Sequence, residues 1–536
     1  MASSAKDIQL RELMDTVSQL KTMMAEQTEL IRSLRTVIDE KTAHEAVLQE
    51  QVDYLTKKLF GTSSEKTHSD IPGQLNLFNE AEAEQDPSLP EEDCIEEPSP
   101  RKKKATHAEL FKGLTVHKQV IPLAKEDKIC PVCGTPMERI GEEYVRRELV
   151  FTPARCEIYE YYTESYGCPN CKDGKGDTEK AVIIKSKAAP ALIGKGPASL
   201  STVAWTIYQK YANGMPLYRQ EKDWKEYGAA ISRTTLANWI IYSAEHYFRP
   251  LYDYFHRQLL QREFLMADET RVQVLKEPGR SAESQSFMWL FRTGEDGQPV
   301  ILLYGYTPTR SGNNAADFLD GFQGYLETDG YQGYNKVSGI KRCSCWAHIR
   351  RYFVDAIPKG KQLDYNQPAV QGVHYCDRLA RLESTITSKC GTDYEKRKQM
   401  SLEKEKPVLE AFWAWVDSQH PTRNTRLDKA LTYVKNRRET SMTYLEDGRC
   451  SFTNNLSENA IRPFTLGRKN WLFSDSVEGA QASAITYTMV EMAKAHNLNI
   501  YGYLSYILEQ RPDESWNDEQ LAELAPWSEK LQTLKI

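Results

Sequence analysis

The hydrophobic pattern between residues 264 and 357 constrains the fold most strongly, because it changes there from helical to strand-like. The first runs are strand-like and rich in aliphatic and aromatic residues. The later strand-like runs alternate with helical ones. In chain order they are FLMADETRVQVL, SFMWLFRT, PVILLYGY, the helical NNAADFLDGF, YLETD, IKRCSC and the helical WAHIRRYFVDA. The GEDGQ segment before PVILLYGY predicts a hairpin turn. We therefore expect an α/β domain within a multidomain α+β chain, since 536 residues exceed one hydrophobic core.

We interpret the order of elements as β-β-β-α-β-α-β-α, with a helix between YLETD and IKRCSC. This order is that of a ribonuclease H-like domain. We assign residues 263–358 and 448–496 to this catalytic domain. Residues 359–447 are rich in Lys, Glu and aromatic residues in helical patterns, and we interpret them as a helical insertion before the last catalytic helix. Residues 497–536 form the predicted C-terminal helical tail.

Three acidic residues of this domain predict a metal site. Asp268 follows the apolar run FLMA, Asp329 follows YLET, and Glu458 lies at a helix start. A carboxylate without a basic partner is costly to bury, so we expect a cation to neutralise these groups. Carboxylate oxygens suit Mg²⁺ or Mn²⁺, and two such ions can clamp the attacking and leaving oxygens of a phosphoryl transfer. Glu269 and Glu327 are the local competitors, and we expect them to face the opposite side, as strand alternation predicts for Glu269 beside Asp268.

A basic, aromatic block follows Glu458 and suggests contacts with nucleic acid. Pro463 predicts a short helix, because the residue before a proline avoids helical geometry. Arg462 lies four residues after Glu458, on the same helical face. Trp471 is expected either to stack on a base or to pack in an apolar core. The other candidate DNA-binding residues here are Arg468, Lys469 and Asn470, and the HIRRYF segment adds His348, Arg350 and Arg351.

The net charge is unevenly distributed along the chain. Residues 71–100 contain nine Asp or Glu and no Lys or Arg, so the remaining residues sum to +3 although the whole chain carries −6. Local basic segments such as RKKK at 101–104 govern attraction to phosphate more than the total charge does. The acidic total therefore does not exclude a nucleic-acid partner.

Residues 189–262 are predicted to be a helical DNA-binding region. Three helix-like runs are separated there by Gly and Pro signals. The turn GAAIS leads to Ser232, a suitable N-cap, and Arg233 and Asn238 lie on the next helix, a pattern that resembles a helix-turn-helix. Three helices that pack together without contacting DNA fit this pattern equally well.

Two CxxC pairs predict a zinc-ribbon-like module in residues 105–188. The pairs are Cys130-Pro-Val-Cys133 and Cys168-Pro-Asn-Cys171. Four thiolates complete a tetrahedral Zn²⁺ shell with no open position, so the expected role of this ion is folding rather than catalysis. The sequence between the pairs alternates in the manner of a β-hairpin ribbon.

Another set of cysteines and histidines also has a spacing that suits a metal. Cys345 and His348, with His374 and Cys376, form this set. The pairs lack the Pro or Gly turns of a zinc knuckle, so we interpret them as buried cysteines and a histidine that contacts phosphate.

A heptad pattern from Leu10 to Leu59 predicts a coiled coil over residues 6–60. Twelve of its fifteen a and d positions are apolar, and no Pro or Gly intervenes before Gly61. We expect self-association through this seam, with a helix folded onto its own chain as the alternative. Residues 61–104 form the predicted acidic, flexible linker. With no signal peptide and no apolar run of about 18 residues, we expect no membrane contact and a cytoplasmic location.

Several blocks of this sequence resemble the insertion-sequence-66 family of bacterial DDE transposases. Four lie in the second half of the chain, namely DET (268–270), TDGYQGYN (328–335), CWAHIRR (345–351) and NNLSENAIRPFTLGRKNWLFS (454–474). KLFGTSSEK, CPVCG and MPLYRQE add to the resemblance in the first half. The similarity therefore covers nearly the whole chain in order.

The resemblance implies an enzyme that cleaves and joins DNA, with Asp268, Asp329 and Glu458 as its metal triad. Its substrates would be double-stranded DNA, both the terminal inverted repeats of an insertion sequence and the target. It also implies accessory proteins from the same element and a place on the bacterial nucleoid. The residues leave two alternatives open, a non-catalytic DNA-binding regulator that keeps the zinc and helix-turn-helix parts, and a stand-alone metal-dependent nuclease.

Overall fold

The structure is a computed structural model, and its description covers only part of the chain. It describes Met14, Met24 and residues 114–152, 155–169, 182–194, 196–358 and 365–534. The predicted coiled coil and acidic linker lie outside these residues, apart from Met14 and Met24, which are helical. The chain divides into two compact units, of which one comprises residues 1–92, 352–371 and 415–434, and the other 93–351, 372–414 and 435–536.

Aromatic contacts hold the described part of the first unit. Tyr352 stacks on Tyr433 with ring centroids 3.9 Å apart. The Trp415 indole nitrogen donates to Gln371 Oε1 at 2.8 Å. The buried indole N–H thus finds an acceptor, as its desolvation requires.

The second unit begins with a small sheet in the predicted zinc module. Its strands are β1 (Val116–Ile121), β2 (Glu138–Thr152), β3 (Arg155–Gly167) and β4 (Ile183–Lys185). Strands β2 and β3 pair antiparallel, which confirms the predicted ribbon, and β1 pairs parallel with β3. Leu149 connects the ribbon to the following helix, because its carbonyl accepts from the Ser199 N–H at 3.3 Å and from the Thr202 hydroxyl at 2.5 Å.

Helices follow where the sequence predicted them. They are α1 (Leu200–Tyr211), α2 (Leu217–Glu226), α3 (Arg233–Ser243) and α4 (Arg249–Leu260), with a π-helical turn before α4. Ser232 is the N-cap of α3, and its hydroxyl accepts from the Thr235 N–H at 3.2 Å. Leu236 and Ile240 lie on the same face of α3 and are buried in the core.

The central sheet has six strands and carries the candidate site. They are β5 (Phe264–Lys276), β6 (Gln285–Thr293), β7 (Leu302–Thr307), β8 (Gly324–Thr328), β9 (Ile340–Ser344) and β10 (Ser474–Ser476). Their order is β7-β6-β5-β8-β9, with β10 paired to β5. Strands β5 to β7 are antiparallel, whereas β8, β9 and β10 run parallel to their neighbours.

One element of the predicted order is wrong. The connection between β8 and β9 contains a 3₁₀ turn at Gln332–Lys336 instead of an α-helix. Three glycines lie in this connection, and Gly339 adopts a φ of +75°. Glycine is a poor helix former, so a short turn anchored by the fully buried Tyr334 replaces the helix.

The remaining helices cover the sheet or form the predicted insertion and tail. They are α5 (Gly312–Phe318), α6 (Trp346–Asp355), α7 (Pro368–Cys390), α8 (Tyr394–Lys404), α9 (Lys406–Ser418), α10 (Arg426–Lys435), α11 (Asn455–Trp471), α12 (Val477–Ala495), α13 (Ile500–Gln510), α14 (Asp518–Glu523) and α15 (Glu529–Leu534). Helix α12 packs on β7, where the Tyr304 N–H donates to Thr488 Oγ1 at 2.9 Å. Within the described chain, none of these helices combines the length and hydropathy that crossing a bilayer requires.

The short helix expected after Glu458 is also wrong. Helix α11 continues through Pro463 and ends at Trp471. Phe464 and Gly467 are buried on a face that lies against Tyr487 of α12. Burial of this face outweighs the hydrogen bond that proline removes, so tertiary packing overrides the local preference.

Candidate active site

The register of two parallel strands brings Asp268 and Asp329 together. In the β5–β8 pair, Met266 lies opposite Glu327. Asp268 and Asp329 each follow two residues later, so both carboxylates lie at the same level of neighbouring strands. The register therefore makes Asp268 and Asp329 neighbours across the β5–β8 pair, and their role as metal ligands stays a prediction.

Asn454 connects the start of α11 to the same place. Its side-chain amide donates to the Ala267 carbonyl at 3.2 Å, and its backbone N–H donates to Cys345 Sγ at 3.2 Å. The Glu458 N–H in turn donates to the Asn454 carbonyl at 3.1 Å. This fully buried amide therefore places Glu458 beside the residue that precedes Asp268. The sequence did not reveal this contact, because it joins residues 187 positions apart.

Each of the three carboxylates lies close enough to another to take part in a shift of its pKa. Burial raises the pKa of Asp268 well above its ordinary value, and the charges of Glu269, Glu458 and Asp329 raise it further. Burial also raises the pKa of Glu458, with Arg351 opposing and Asp329 adding to the shift. Glu458 Oε1 is buried and has no hydrogen-bond partner among the described residues. Like charges held this close with an unsatisfied oxygen fit a site for a divalent cation.

Glu269 belongs to a network that the sequence did not reveal. Its side chain is 1% exposed. It accepts from Arg310 Nε at 2.7 Å and from the Tyr334 hydroxyl at 2.5 Å. The Arg310 guanidinium also lies 3.9 Å from Asp329 Oδ2 and 4.1 Å from the centroid of the Tyr331 ring. Arg310 thus connects Glu269 to Asp329, and it is the half-exposed cation at the edge of the site.

Two of the candidate DNA-binding arginines have contacts within the chain. Arg350 forms an ion pair with Asp377 through its Nε at 2.6 Å. Arg468 is partly buried and donates to Thr270 Oγ1 at 3.1 Å and to the carbonyl of the next residue. These contacts tie Arg350 of α6 and Arg468 of α11 to neighbouring parts of the chain. A role of either arginine in DNA binding stays a prediction.

Asn470 and Trp471 also have contacts within the chain. The Asn470 amide donates to the Gly214 carbonyl at 3.1 Å. The Trp471 ring packs edge-on against Phe464, with centroids 5.3 Å apart, which favours the core interpretation over base stacking. Of the other candidates, Arg233, Asn238, Arg351 and Lys469 are exposed, and His348 and Arg462 are partly buried.

Three of the predicted zinc ligands are gathered at one end of the β2–β3 ribbon. The sulfur atoms of Cys130, Cys133 and Cys168 lie within 4.8 Å of one another. Hydrogen bonds, first from Thr135 and then from the neighbouring thiols, lower the pKa of Cys133 to about 6, which favours the thiolate that zinc requires. The fourth predicted ligand, Cys171, lies outside the described residues. The three thiols fit the zinc site that the sequence predicted.

Comparison with known proteins agrees with this arrangement. Residues 195–482, which contain all three carboxylates, match the Transposase IS66 family. Residues 127–172 match the zinc-finger binding domain of transposase IS66, and residues 47–117 match a family described as Transposase C of IS166 homeodomain. These matches define a DNA transposase with zinc-binding and DNA-binding domains.

The chain belongs to the IS66 family of transposases. It is similar to the uncharacterized protein y4qI of Sinorhizobium fredii, with 26% identity over 92% of this chain and 90% of the relative. The uncharacterized protein y4jD of the same organism is 26% identical over 76% of this chain and 79% of its own length. The family assignment confirms the resemblance that the motifs indicated.

Proposed function

We propose that this transposase cleaves DNA at the terminal inverted repeats of its insertion sequence and joins the freed 3′-hydroxyls to target DNA. The convergence of Asp268, Asp329 and Glu458 from two strands and a helix carries the proposal. The strand order β7-β6-β5-β8-β9, with three antiparallel strands followed by two parallel ones, supports a ribonuclease H-like catalytic domain. The family match, residues 195–482, includes all six strands of this sheet.

The three carboxylates would hold Mg²⁺ or Mn²⁺. When bound, such ions stabilise the charge that develops on the attacking and leaving oxygens of a phosphodiester. Asn454 holds Glu458 against β5, and Arg310 holds Asp329 from the other side. In hydrolysis, water attacks the phosphorus and the 3′-oxygen leaves. The freed 3′-hydroxyl then attacks a target phosphodiester, and the 3′-oxygen of the target strand leaves in turn. Both steps require the reacting groups to be held in position. The contacts of Asn454 and Arg310 would provide this positioning for the metal-binding carboxylates.

The other modules would supply recognition and assembly. The zinc module and the helices that carry Arg233 and Asn238 would bind the element ends. The block from Arg462 to Trp471 and the residues His348, Arg350 and Arg351 would approach the DNA near the cleavage site. The segment 6–60 would self-associate as a coiled coil, and accessory proteins of the same element would complete the assembly.

Incubation of the full chain with labelled element ends and Mg²⁺ tests the proposal. We expect cleavage and strand joining by the unmodified protein, and neither by Asp268→Asn nor by Glu458→Gln. Asp320→Asn is the matched control, since this exposed carboxylate lies in the turn after α5. Cleavage at the normal rate by Asp268→Asn would contradict the triad. Binding without cleavage would favour a regulator, and cleavage without joining would favour a nuclease.

Metal analysis tests the zinc assignment separately. We expect about one zinc per chain, the content of a site with four thiolate ligands. Cys130→Ser should lower it, whereas Cys156→Ser should not, because this half-buried thiol lies outside the ligand group. A folded protein without zinc would contradict the assignment.

A further inference from the structure

A second group of metal-ligating side chains lies next to the proposed catalytic carboxylates. It consists of Cys345 between β9 and α6, His348 in the first turn of α6, and Glu458 on α11. One ligand atom from each lies within 4.8 Å of the other two. The spacing of Cys345 and His348 suggested a metal, but their neighbour in space is Glu458 rather than His374 or Cys376.

The two polar atoms of this group face each other without making a hydrogen bond. His348 Nδ1 and Glu458 Oε1 are 3.6 Å apart. Both atoms are buried, and neither has a hydrogen-bond partner among the described residues. Buried polar atoms are almost always satisfied, so a pair left open in this way needs an explanation. Ligands about 2 Å from one cation lie roughly 3–3.5 Å from each other, and the observed gap is close to that separation.

The third member supplies a sulfur ligand in a suitable setting. Cys345 is 2% exposed, and its Sγ accepts a hydrogen bond from the Asn454 N–H at 3.2 Å. Burial and the charge of Glu458 raise the pKa of the free Cys345 thiol, so a bound cation must displace its proton. The backbone amide directed at the sulfur favours the thiolate that then forms. A set of one sulfur, one nitrogen and one oxygen favours a borderline cation such as Zn²⁺ or Co²⁺ over the harder Mg²⁺ and Mn²⁺.

We propose that Cys345, His348 and Glu458 bind a borderline divalent cation, in a site separate from the CxxC zinc site. The inference rests on the proposed function in one respect, because Glu458 is also assigned to the catalytic triad. A carboxylate has two oxygens, so Glu458 can serve both sites. The bound ion joins α6 to the start of α11 and holds the Glu458 carboxylate in one orientation.

Cobalt absorption tests the sulfur ligand. Co²⁺ is added to the zinc-loaded full chain without DNA, and the near-ultraviolet charge-transfer band of a cobalt–thiolate bond is measured. We expect the band in the unmodified protein and in Cys376→Ser, a buried cysteine of α7 outside the group, and its loss in Cys345→Ser. A band that survives in Cys345→Ser but disappears in Cys130→Ser would show exchange at the CxxC site and overturn the proposal. Circular dichroism of each variant confirms that it is folded.

Electron paramagnetic resonance of bound Cu²⁺, which binds imidazole and thiolate ligands more strongly than Mn²⁺ does, tests the nitrogen ligand independently. We expect nitrogen coupling from His348, and its loss in His348→Gln. The matched control is His374→Gln, because His374 is an exposed histidine outside the group. Nitrogen coupling that is equal in His348→Gln and the unmodified protein would overturn the assignment of this ligand.

DNA cleavage in Mg²⁺, measured on the same preparations, separates the two proposals. A cobalt–thiolate band that depends on Cys345, in a protein that cleaves no DNA, would support this site and contradict the proposed function. Normal cleavage by a protein without that band would contradict the site alone.

Discussion

Two groups of carboxylates are built around the same strand, and they differ in how their charge is balanced. Asp329 follows the end of β8 and meets Asp268 and Glu458. Glu327, two residues earlier, is 4% exposed, and its charge interacts with that of Glu383 on α7. Burial raises the pKa of Glu327 well above its ordinary value, Glu383 adds to the shift, and a buried arginine of α8 opposes it.

The second group, which we call the buried acidic cluster, contains Glu327, Glu383 and Glu405 with Arg397. Arg397 forms a buried ion pair with Glu383, and Glu405 is fully buried with a pKa raised to about 8 by burial and then by Glu383. The charge of Glu383 is thus offset by the Arg397 cation, and the raised pKa values of Glu327 and Glu405 favour retained protons. Asp329 is 25% exposed, so ions and DNA can reach the first group. Access to solvent therefore distinguishes the candidate metal site from the buried acidic cluster.

The largest expected difference is in DNA cleavage. We expect Asp329→Asn to reduce cleavage of element ends by about a thousandfold, the upper range for loss of one preorganised electrostatic group. Glu327→Gln should cleave within about twofold of the unmodified protein, because a neutral side chain replaces a buried acid whose pKa is raised. Rates are measured under single-turnover conditions in Mg²⁺. Equal losses in the two variants would abolish the distinction between the groups.

The next effect is on stability and should be confined to the buried acidic cluster. Arg397→Met leaves the Glu383 carboxylate buried without its cation, so we expect the free energy of unfolding to fall by about 3 kcal/mol. Arg378→Met is the matched control, because Arg378 is exposed on α7. Urea unfolding measures both. The double variant Glu383→Gln/Arg397→Met should recover part of the loss, and no recovery would contradict the pairing as its cause.

A smaller effect concerns the amide that holds the proposed catalytic helix. Asn454→Ala removes the side-chain hydrogen bond to Ala267, so we expect a loss of about 1–2 kcal/mol in the free energy of unfolding. Cleavage should fall by roughly tenfold or more, since small displacements of catalytic groups are costly. Asn459→Ala, at an exposed position of α11, should change neither. Full activity of Asn454→Ala would show that Glu458 is positioned by other contacts.

Local sequence patterns predicted the strands and the strand-end acids, because strand propensity and apolar runs are local properties. They failed where tertiary packing decides, as at Pro463, whose helix continues because Phe464 and Gly467 are buried. The Arg310 contact with Glu269 joins residues 41 positions apart, so no local pattern reports it. The contact between Asn454 and Ala267 is equally hidden from local patterns, because Ala267 lies on β5, 187 positions earlier.

The smallest predicted effect tests the retained proton of the buried acidic cluster through its dependence on pH. The pKa of Glu405 is about 8 in the folded chain against an ordinary value of 4.5, so the folded state holds a proton that the unfolded state releases above pH 4.5. Stability from this group is therefore complete below pH 4.5 and is lost as the pH rises towards 8. The amide of Glu405→Gln does not ionise, so the variant should not lose this stability as the pH rises.

We accordingly expect Glu405→Gln to gain at least about 1 kcal/mol in unfolding free energy, relative to the unmodified protein, between pH 5 and pH 8, since one pKa unit corresponds to about 1.4 kcal/mol. Urea unfolding at the two pH values measures this, with the exposed Glu403→Gln as the control. Parallel pH profiles for Glu405→Gln and the unmodified protein would mean that Glu405 is ionised in the fold. Its charge would then need a cation, and the contrast between the two carboxylate groups would no longer hold.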